Sequence, residues 1–258
     1  MEATVSSAIV QSYFKKFQDN LSLDVVVVGG GPSGLVASET LAKKGYKVAL
    51  YDAKLAPGGG MWGGAMMMNE LVIQKKAWHV LDEYNINYQK ISDELATADS
   101  VQSTSSLIYH CTKAGVKIFS CVSVEDVIFL NNRVSGVVIN WTAIGRLEMH
   151  VDPLMVRSKF VLDATGHPSE VVRLTAQKNN VQLNTANGKI VGEMSLSIDK
   201  GETSTVENTK EAYPGLFVSG MAANGVFGSF RMGPIFGGML LSGKKAAELI
   251  EKELLKNE

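Results

Sequence analysis

Residues 23–52 constrain this chain more than any other stretch: LDVVVVGGGPSGLVASETLAKKGYKVALYD. Leu23 and Val25, Val26, Val27 and Val28 form an apolar run broken only by Asp24, and its β-branched content predicts a buried strand. Gly29, Gly31 and Gly34 follow in the spacing G-x-G-x-x-G. Residues 33–44 carry small and apolar groups at helical spacing, with Gly45 as the stop. Residues 46–51 predict a second strand that ends on Asp52. Strand, glycines, helix, strand and acid in this order specify a βαβ unit that binds a dinucleotide. Gly29 permits the tight turn, Gly31 lets the backbone approach a pyrophosphate, and Gly34 lets the helix pack closely on the sheet. The helix start offers N–H groups and the positive end of the helix dipole to phosphates. Asp52 is suited to accept both hydroxyls of an adenosine ribose, and it disfavours a 2′-phosphate. A glycine-rich turn in an ordinary α/β protein is the competing reading.

At 258 residues the chain is long enough to bury a sizeable core as one domain, 1–258. Its formal net charge of −1 gives no reason to expect a nucleic-acid partner. No apolar run is long enough to span a membrane. The N-terminus lacks a basic start followed by an apolar stretch, so no secretory signal is read and the expected compartment is the cytoplasm. Residues 5–18 predict a short amphipathic helix. The two cysteines, Cys111 and Cys121, make no disulfide framework. One is expected on a helix and one on a strand, both packed.

After Asp52, Gly58, Gly59, Gly60, Gly63 and Gly64 predict a backbone-exposed loop able to wrap a ligand, with Gly60 near the cofactor. Trp62, Met66, Met67 and Met68 line an adaptable pocket or belong to the core. Residues 70–87 and 104–114 are expected to be helical, and 117–164 to be strands, with turns at Asn131-Asn132 and near Gly145. His79 and His110 read as structural or surface residues. Residues 160–166, FVLDATG, look like a strand end beside the first βαβ unit, with a helix from Pro168 to about 178. Residues 179–215 read as polar and irregular, and 216–219 as a last strand. Residues 220–238 read as a second glycine-rich loop whose one charge is Arg231, and 235–255 as a closing helix.

Three features bear on chemistry. His150-Val151-Asp152, on a strand, would place positions 150 and 152 on one face. His167 sits at a strand-to-helix turn. An Asp and one or two His suit Fe(II), Mn or Zn with open positions for substrate, although a lone histidine at a strand end is commonly hydrogen-bonded structure. Arg231, alone in an apolar loop, needs either a substrate carboxylate or a protein acid. Where many FAD enzymes end the last strand in Gly-Asp, this chain has Gly220-Met221, and methionine cannot accept hydroxyl hydrogens.

Together, GGGPSGL, Asp52, PGGGMWGGAMM, HVDPL, DATGH and LFVSGMAANGVFGSFRMGPIFGGMLLSG resemble the thiamine thiazole synthase family, most nearly its archaeal-type members. The resemblance implies an α/β, Rossmann-like and flavoprotein-like dinucleotide-binding fold with an added β-rich segment. It implies an enzyme that consumes NAD, releasing nicotinamide and condensing the ADP-ribose with glycine. Sulfur is then added to give an adenylated thiazole carboxylate for thiamin biosynthesis. Eukaryotic members take the sulfur from their own cysteine in a Cys-x-Asp-Pro segment. This chain has His150 there, which implies the sulfide-using branch that turns over with Fe(II).

Carried over by position, Asp152 (from a neighbouring subunit) and His167 match the family's iron ligands. Ser33, Asp52, Ala53, Gly60, Val124, His150, Val151, Asp152 and Met221 match NAD contacts, and Arg231 matches the holder of the glycine carboxylate. His150, with Asp152 and His167, is the implied catalytic group, and imidazole suits proton transfer near neutral pH. The resemblance also implies a homo-oligomer with shared active sites, an octamer. Asp52-Ala53 departs from a common Glu-Arg, and residues 182–206 do not align. The rival readings are an FAD-dependent oxidoreductase and a non-catalytic NAD-binding sensor.

Overall fold

The computed structural model describes residues 1–256. Helix α1 (Glu2–Gln18) leads into strand β1 (Ser22–Val28), helix α2 (Pro32–Lys43) and strand β2 (Val48–Asp52). β1 and β2 pair in parallel, from Val25 opposite Val48 to Val28 opposite Tyr51. Successive side chains of β1 enter different cores, as the period of a strand demands. Val25 and Val27 pack with Leu35 and Leu41 of α2, and Val26 and Val28 with Ala49 and Tyr51.

Strand β3 (Glu70–Gln74), helix α3 (Trp78–Glu83), strands β4 (Gln89–Lys90) and β5 (Leu95–Asp99) and helix α4 (Ser100–Lys113) come next. Strands β3, β5 and β4 form a separate antiparallel sheet in that order. The helix expected over 70–87 is therefore mostly wrong, since only residues 78–83 are α-helical. Leu71 and Ile73 are buried while Glu70 is exposed, a period of two that pairing with β5 satisfies. α4 starts ahead of residue 104 because Asp99 caps it, its Oδ1 accepting the Gln102 N–H at 2.6 Å.

Strands β6 (Lys117–Ser120), β7 (Val122–Leu130) and β8 (Arg133–Trp141), helix α5 (Thr142–Arg146) and strand β9 (Leu154–Asp163) follow. Asn131 and Asn132 take φ of 52° and 56°, the double left-handed turn a tight hairpin needs. Cys111 is buried on α4, but Cys121 is half-buried at the corner between β6 and β7. The strand expected through His150 and Asp152 does not form. Both residues lie in an exposed segment between α5 and β9. Pro153, which has no N–H for a ladder, stands just before β9.

The chain closes with α6 (Glu170–Asn179), β10 (Met194–Leu196), α7 (Ile198–Glu207), β11 (Lys210–Tyr213), β12 (Leu216–Val218), α8 (Met221–Phe227), β13 (Phe230–Arg231) and α9 (Gly237–Leu255). Residues 179–215 are thus less irregular than their polarity suggests, and residues 220–238 hold a helix and a strand. α7 forms because it buries Gly201, Glu202 and Thr205, so its polar groups find partners inside the fold. Met66, Met67 and Met68 do not enter the core. They stand exposed beyond the glycine turn, whereas Met61 is fully buried.

The main sheet runs β11-β12-β9-β1-β2-β6, and the β7–β8 hairpin attaches to β9 through β8. β12, β9, β1, β2 and β6 are parallel. This is the α/β dinucleotide-binding architecture expected, with the added antiparallel strands. No described helix is long and apolar enough to cross a membrane.

Candidate active site

The carboxyl ends of β1, β2, β9 and β12 open on one cavity of about 550 Å³. That is where open α/β sheets bind ligands, at the point where neighbouring connections diverge. Of the residues singled out in the sequence, Gly29, Gly31, Ser33, Asp52, Ala53, Gly60, Val124, His167, Met221 and Arg231 line it. Gly34 lies behind the lining. His150, Val151 and Asp152 are not part of the lining.

The three glycines are required for different reasons. Gly29 has φ +98°, and a Cβ there would stand 2.4 Å from the carbonyl oxygen of Ala164. A Cβ on Gly34 would come within 2.1 Å of the Gly29 carbonyl oxygen, so α2 could not pack onto its strand. Gly31 is different. A Cβ there would meet no protein atom within 4 Å, so its bare backbone faces open space. Gly31 is also the N-cap of α2, with no side-chain capping bond. The N–H groups of the first turn therefore have no intrahelical acceptor and are available to an anion.

Asp52 ends β2 with its side chain buried. Its Oδ2 accepts the Gly30 N–H and its Oδ1 the Lys54 N–H, both at 2.7 Å. Each oxygen keeps a second lone pair, so the carboxylate is aimed and can still receive hydroxyls.

Asp163, at the end of β9, was missed in the sequence. It is fully buried, and its Oδ1 accepts the Thr165 N–H and hydroxyl at 3.0 and 2.7 Å. Its Oδ2 accepts the Val172 N–H at 3.0 Å, which ties the strand end to α6. Burial pushes this carboxyl up and the three hydrogen bonds oppose the shift. Between these anchors runs the turn that carries His167. Glu170, on the same turn, also faces the cavity, and desolvation together with the Asp163 charge raises its carboxyl.

His167 Nδ1 lies 2.7 and 2.8 Å from the two carboxylate oxygens of Glu193. Glu193 also escaped the sequence reading, because it belongs to the stretch that matches no clear pattern. Two findings bear on a metal. Asp152 has no hydrogen bond or ion pair among the described residues, and no three His, Cys, Asp or Glu side chains there could hold an ion together. Of the two metal ligands implied by the resemblance, only His167 reaches the cavity of its own chain.

Arg231 sits on β13 and lines the cavity. Its guanidinium has no ion pair or hydrogen bond among the described residues. The protein-acid alternative is therefore not realised among the described residues. Its backbone, by contrast, is held firmly. The Arg231 carbonyl accepts the Ser197 N–H at 3.1 Å, and Gly201 packs so closely that a Cβ would stand 2.9 Å from that carbonyl oxygen. Asn224 is fully buried on α8. Its Nδ2 lies 3.1 Å from Phe230 O, 3.1 Å from Gly201 O and 2.9 Å from Thr205 Oγ1. Met221, the first residue of α8, places a thioether where an FAD enzyme of this pattern carries its acid.

The chain matches the Thi4 family over residues 6–236. It is 54% identical to a thiamine thiazole synthase of Desulfosudis oleivorans, over 97% of this chain and 98% of that protein. It is 47% identical to one from Methanothermobacter thermautotrophicus, over 97% of each. Among solved structures, the crystal structure of Thermovibrio ammonificans THI4 superposes with a TM-score of 0.97 at 47% identity, covering 99% of both chains. A geranylgeranyl bacteriochlorophyll reductase-like protein of Thermoplasma acidophilum, at 16% identity and TM-score 0.52 over 92% of this chain and 79% of that one, shares the fold alone. By these matches the chain whose glycine loop, acid-tipped second strand and Arg231 surround one cavity belongs to the Thi4 family.

Proposed function

We propose that this chain is a thiamine thiazole synthase of the sulfide-using kind. It consumes NAD, glycine and sulfide, releases nicotinamide and forms an adenylated thiazole carboxylate. The observation that carries the substrate assignment is Arg231. A cation without a partner among the described residues, in a cavity suited to a dinucleotide, calls for an anion from solution, and the glycine carboxylate fits its fork. NAD lies along Gly29, Gly31, Ser33, Asp52, Ala53, Gly60, Val124 and Met221, with the ribose on Asp52.

Fe(II) suits the remaining chemistry as Lewis acid and template for an imine and sulfide. With Nδ1 turned to Glu193, His167 has Nε2 left for a metal, and this fits the ion as half a site. Asp152 of a second copy supplies another ligand, and the exposed segment 150–152 brings His150 and Val151 with it. The enzyme is accordingly a homo-oligomer with shared sites, an octamer on the family pattern. The exposed apolar face of α1, with Ile9 and Phe14, and the adjoining Trp141 and Leu154 supply surface for contact between copies. One NAD-binding domain, working in the cytoplasm, is the simplest organisation.

Sulfide as the donor agrees with the cysteines. Cys111 is fully buried, and desolvation, with the nearby Glu39 charge, pushes its thiol up to about 12. Cys121 does not line the cavity. Two anaerobic measurements test the proposal. Arg231→Ala should leave NAD affinity nearly intact and raise the glycine requirement at least about tenfold, the loss of one charge-assisted pair. Product from the Cys111→Ser, Cys121→Ser double variant should exceed one equivalent per chain when sulfide and Fe(II) are supplied. Product capped at one equivalent in the parent chain, with a dehydroalanine at 111 or 121, would overturn the sulfur assignment.

A further inference from the structure

We propose that Glu193 is the positioning residue for His167. It fixes the tautomer and aim of the imidazole so that Nε2, and not Nδ1, is the nitrogen offered to a metal. The inference rests on the reading of His167 as a metal ligand. A carboxylate is an acceptor only, so with Glu193 at 2.7 and 2.8 Å the neutral ring must carry its proton on Nδ1. The lone pair is then left on Nε2.

The backbone on both sides of this pair is built to hold it. Gly192 N donates to Gly225 O and Met194 N to Ser229 O, both at 2.9 Å, so residue 193 is pinned between two hydrogen bonds. Gly192 takes φ +97° and Gly166 takes φ +81°, and a Cβ on either would meet nothing within 4 Å. Glycine is needed at both positions for the turn it makes, and each turn delivers the residue that follows. Gly225 of α8 lies beneath both. A Cβ there would stand 3.6 Å from His167 O, 3.9 Å from Glu193 Cγ and 3.0 Å from Ser169 Oγ. Three separate segments therefore converge on one carboxylate–imidazole contact.

A solvent-exposed ion pair would not call for such support. The Glu193 side chain is only 18% exposed against 50% for His167, and among the described residues the carboxylate has no other partner. A carboxylate bonded to the second nitrogen of a metal-binding histidine both orients the ring and raises its basicity.

The test uses the full-length oligomer. ¹⁵N NMR of histidine-labelled metal-free protein at pH 8 reads the His167 tautomer directly. The parent should show the Nδ1–H form, Glu193→Ala should lose that preference, and Glu193→Gln should keep it, because an amide oxygen still accepts the proton. Anaerobic titration with Co(II), followed by its visible absorption, should give about 10–100-fold weaker binding in Glu193→Ala and recovery of most of it in Glu193→Gln. Unchanged tautomer and unchanged Co(II) affinity in Glu193→Ala would reduce the contact to a surface ion pair and overturn the inference. Should His167→Ala bind Co(II) as tightly as the parent, the ligand reading of His167 fails instead. The tautomer measurement would still decide whether Glu193 sets the ring.

Discussion

Two parts of the cavity lining are built differently. The glycine loop and Asp52 draw every contact they need from one chain. Gly30 and Lys54 donate to the Asp52 carboxylate, Gly34 packs on Gly29, and Gly29 packs on Ala164. The part to which the proposed function assigns the chemistry is not closed in the same way. Arg231 has no counter-ion among the described residues, His167 has one nitrogen engaged, and His150 and Asp152 stand exposed outside the cavity. A site for binding nucleotide can be finished inside one βαβ unit, because its ligand is held by backbone N–H groups and one acid. A site for carbon–nitrogen and sulfur chemistry needs side chains converging from several directions, and on the function proposed above some of those directions would belong to other copies.

The comparison can be broken most severely by mixing variants. Asp152→Ala and His167→Ala should each abolish turnover in the presence of Fe(II). Co-assembly of the two should restore part of it, because some sites then receive both intact residues. No recovery in verified mixed oligomers would mean that one chain completes its own reactive part.

A smaller effect separates ligand space from packing within the glycine loop. Gly31→Ala should fold with the melting temperature of the parent, since no protein atom opposes its Cβ, and yet lose about 3 kcal/mol, roughly a hundredfold, in NAD binding. Gly34→Ala, with its Cβ 2.1 Å from a backbone oxygen, should be destabilised as well. Equal NAD affinity in Gly31→Ala, by calorimetry, would remove the close approach of backbone and pyrophosphate.

The smallest effect is at the ribose. Asp52→Ala should weaken NAD by about 1–3 kcal/mol, leaving ribose hydroxyls unpaired. The same change releases the Gly30 and Lys54 N–H groups, so part of the loss should appear as lower thermal stability without ligand. An unaltered NAD dissociation constant would take Asp52 out of the ribose contact.

Much of this was legible before any coordinates. The βαβ unit could be read because its signals are local: β-branched run, glycines at fixed spacing, helix stop and terminal acid. Arg231 was legible for the opposite reason, as one charge among glycines and apolar residues. The error over 70–87 arose where alternation in Glu70–Gln74 runs directly into a true helix, so two periods overlap. Residues 179–215 hid α7 and Glu193 because their polar side chains are satisfied by residues far along the chain. Glu202, for example, accepts the Gly238 N–H at 2.7 Å. No pattern within the segment announces such a partner.

The sequence by itself determined the dinucleotide-binding unit, the methionine at Met221, the family, and the histidine at position 150 on which the proposed sulfur source rests. Each depends on residue identity at short spacing, which backbone geometry turns directly into structure. Only the tertiary structure decided that Glu193 meets His167, that Asn224 and Gly201 seat the strand of Arg231, and that residues 150–152 lie outside the cavity of their own chain. Those facts depend on where distant segments cross, and crossing is set by the packing of whole elements rather than by any local run of residues.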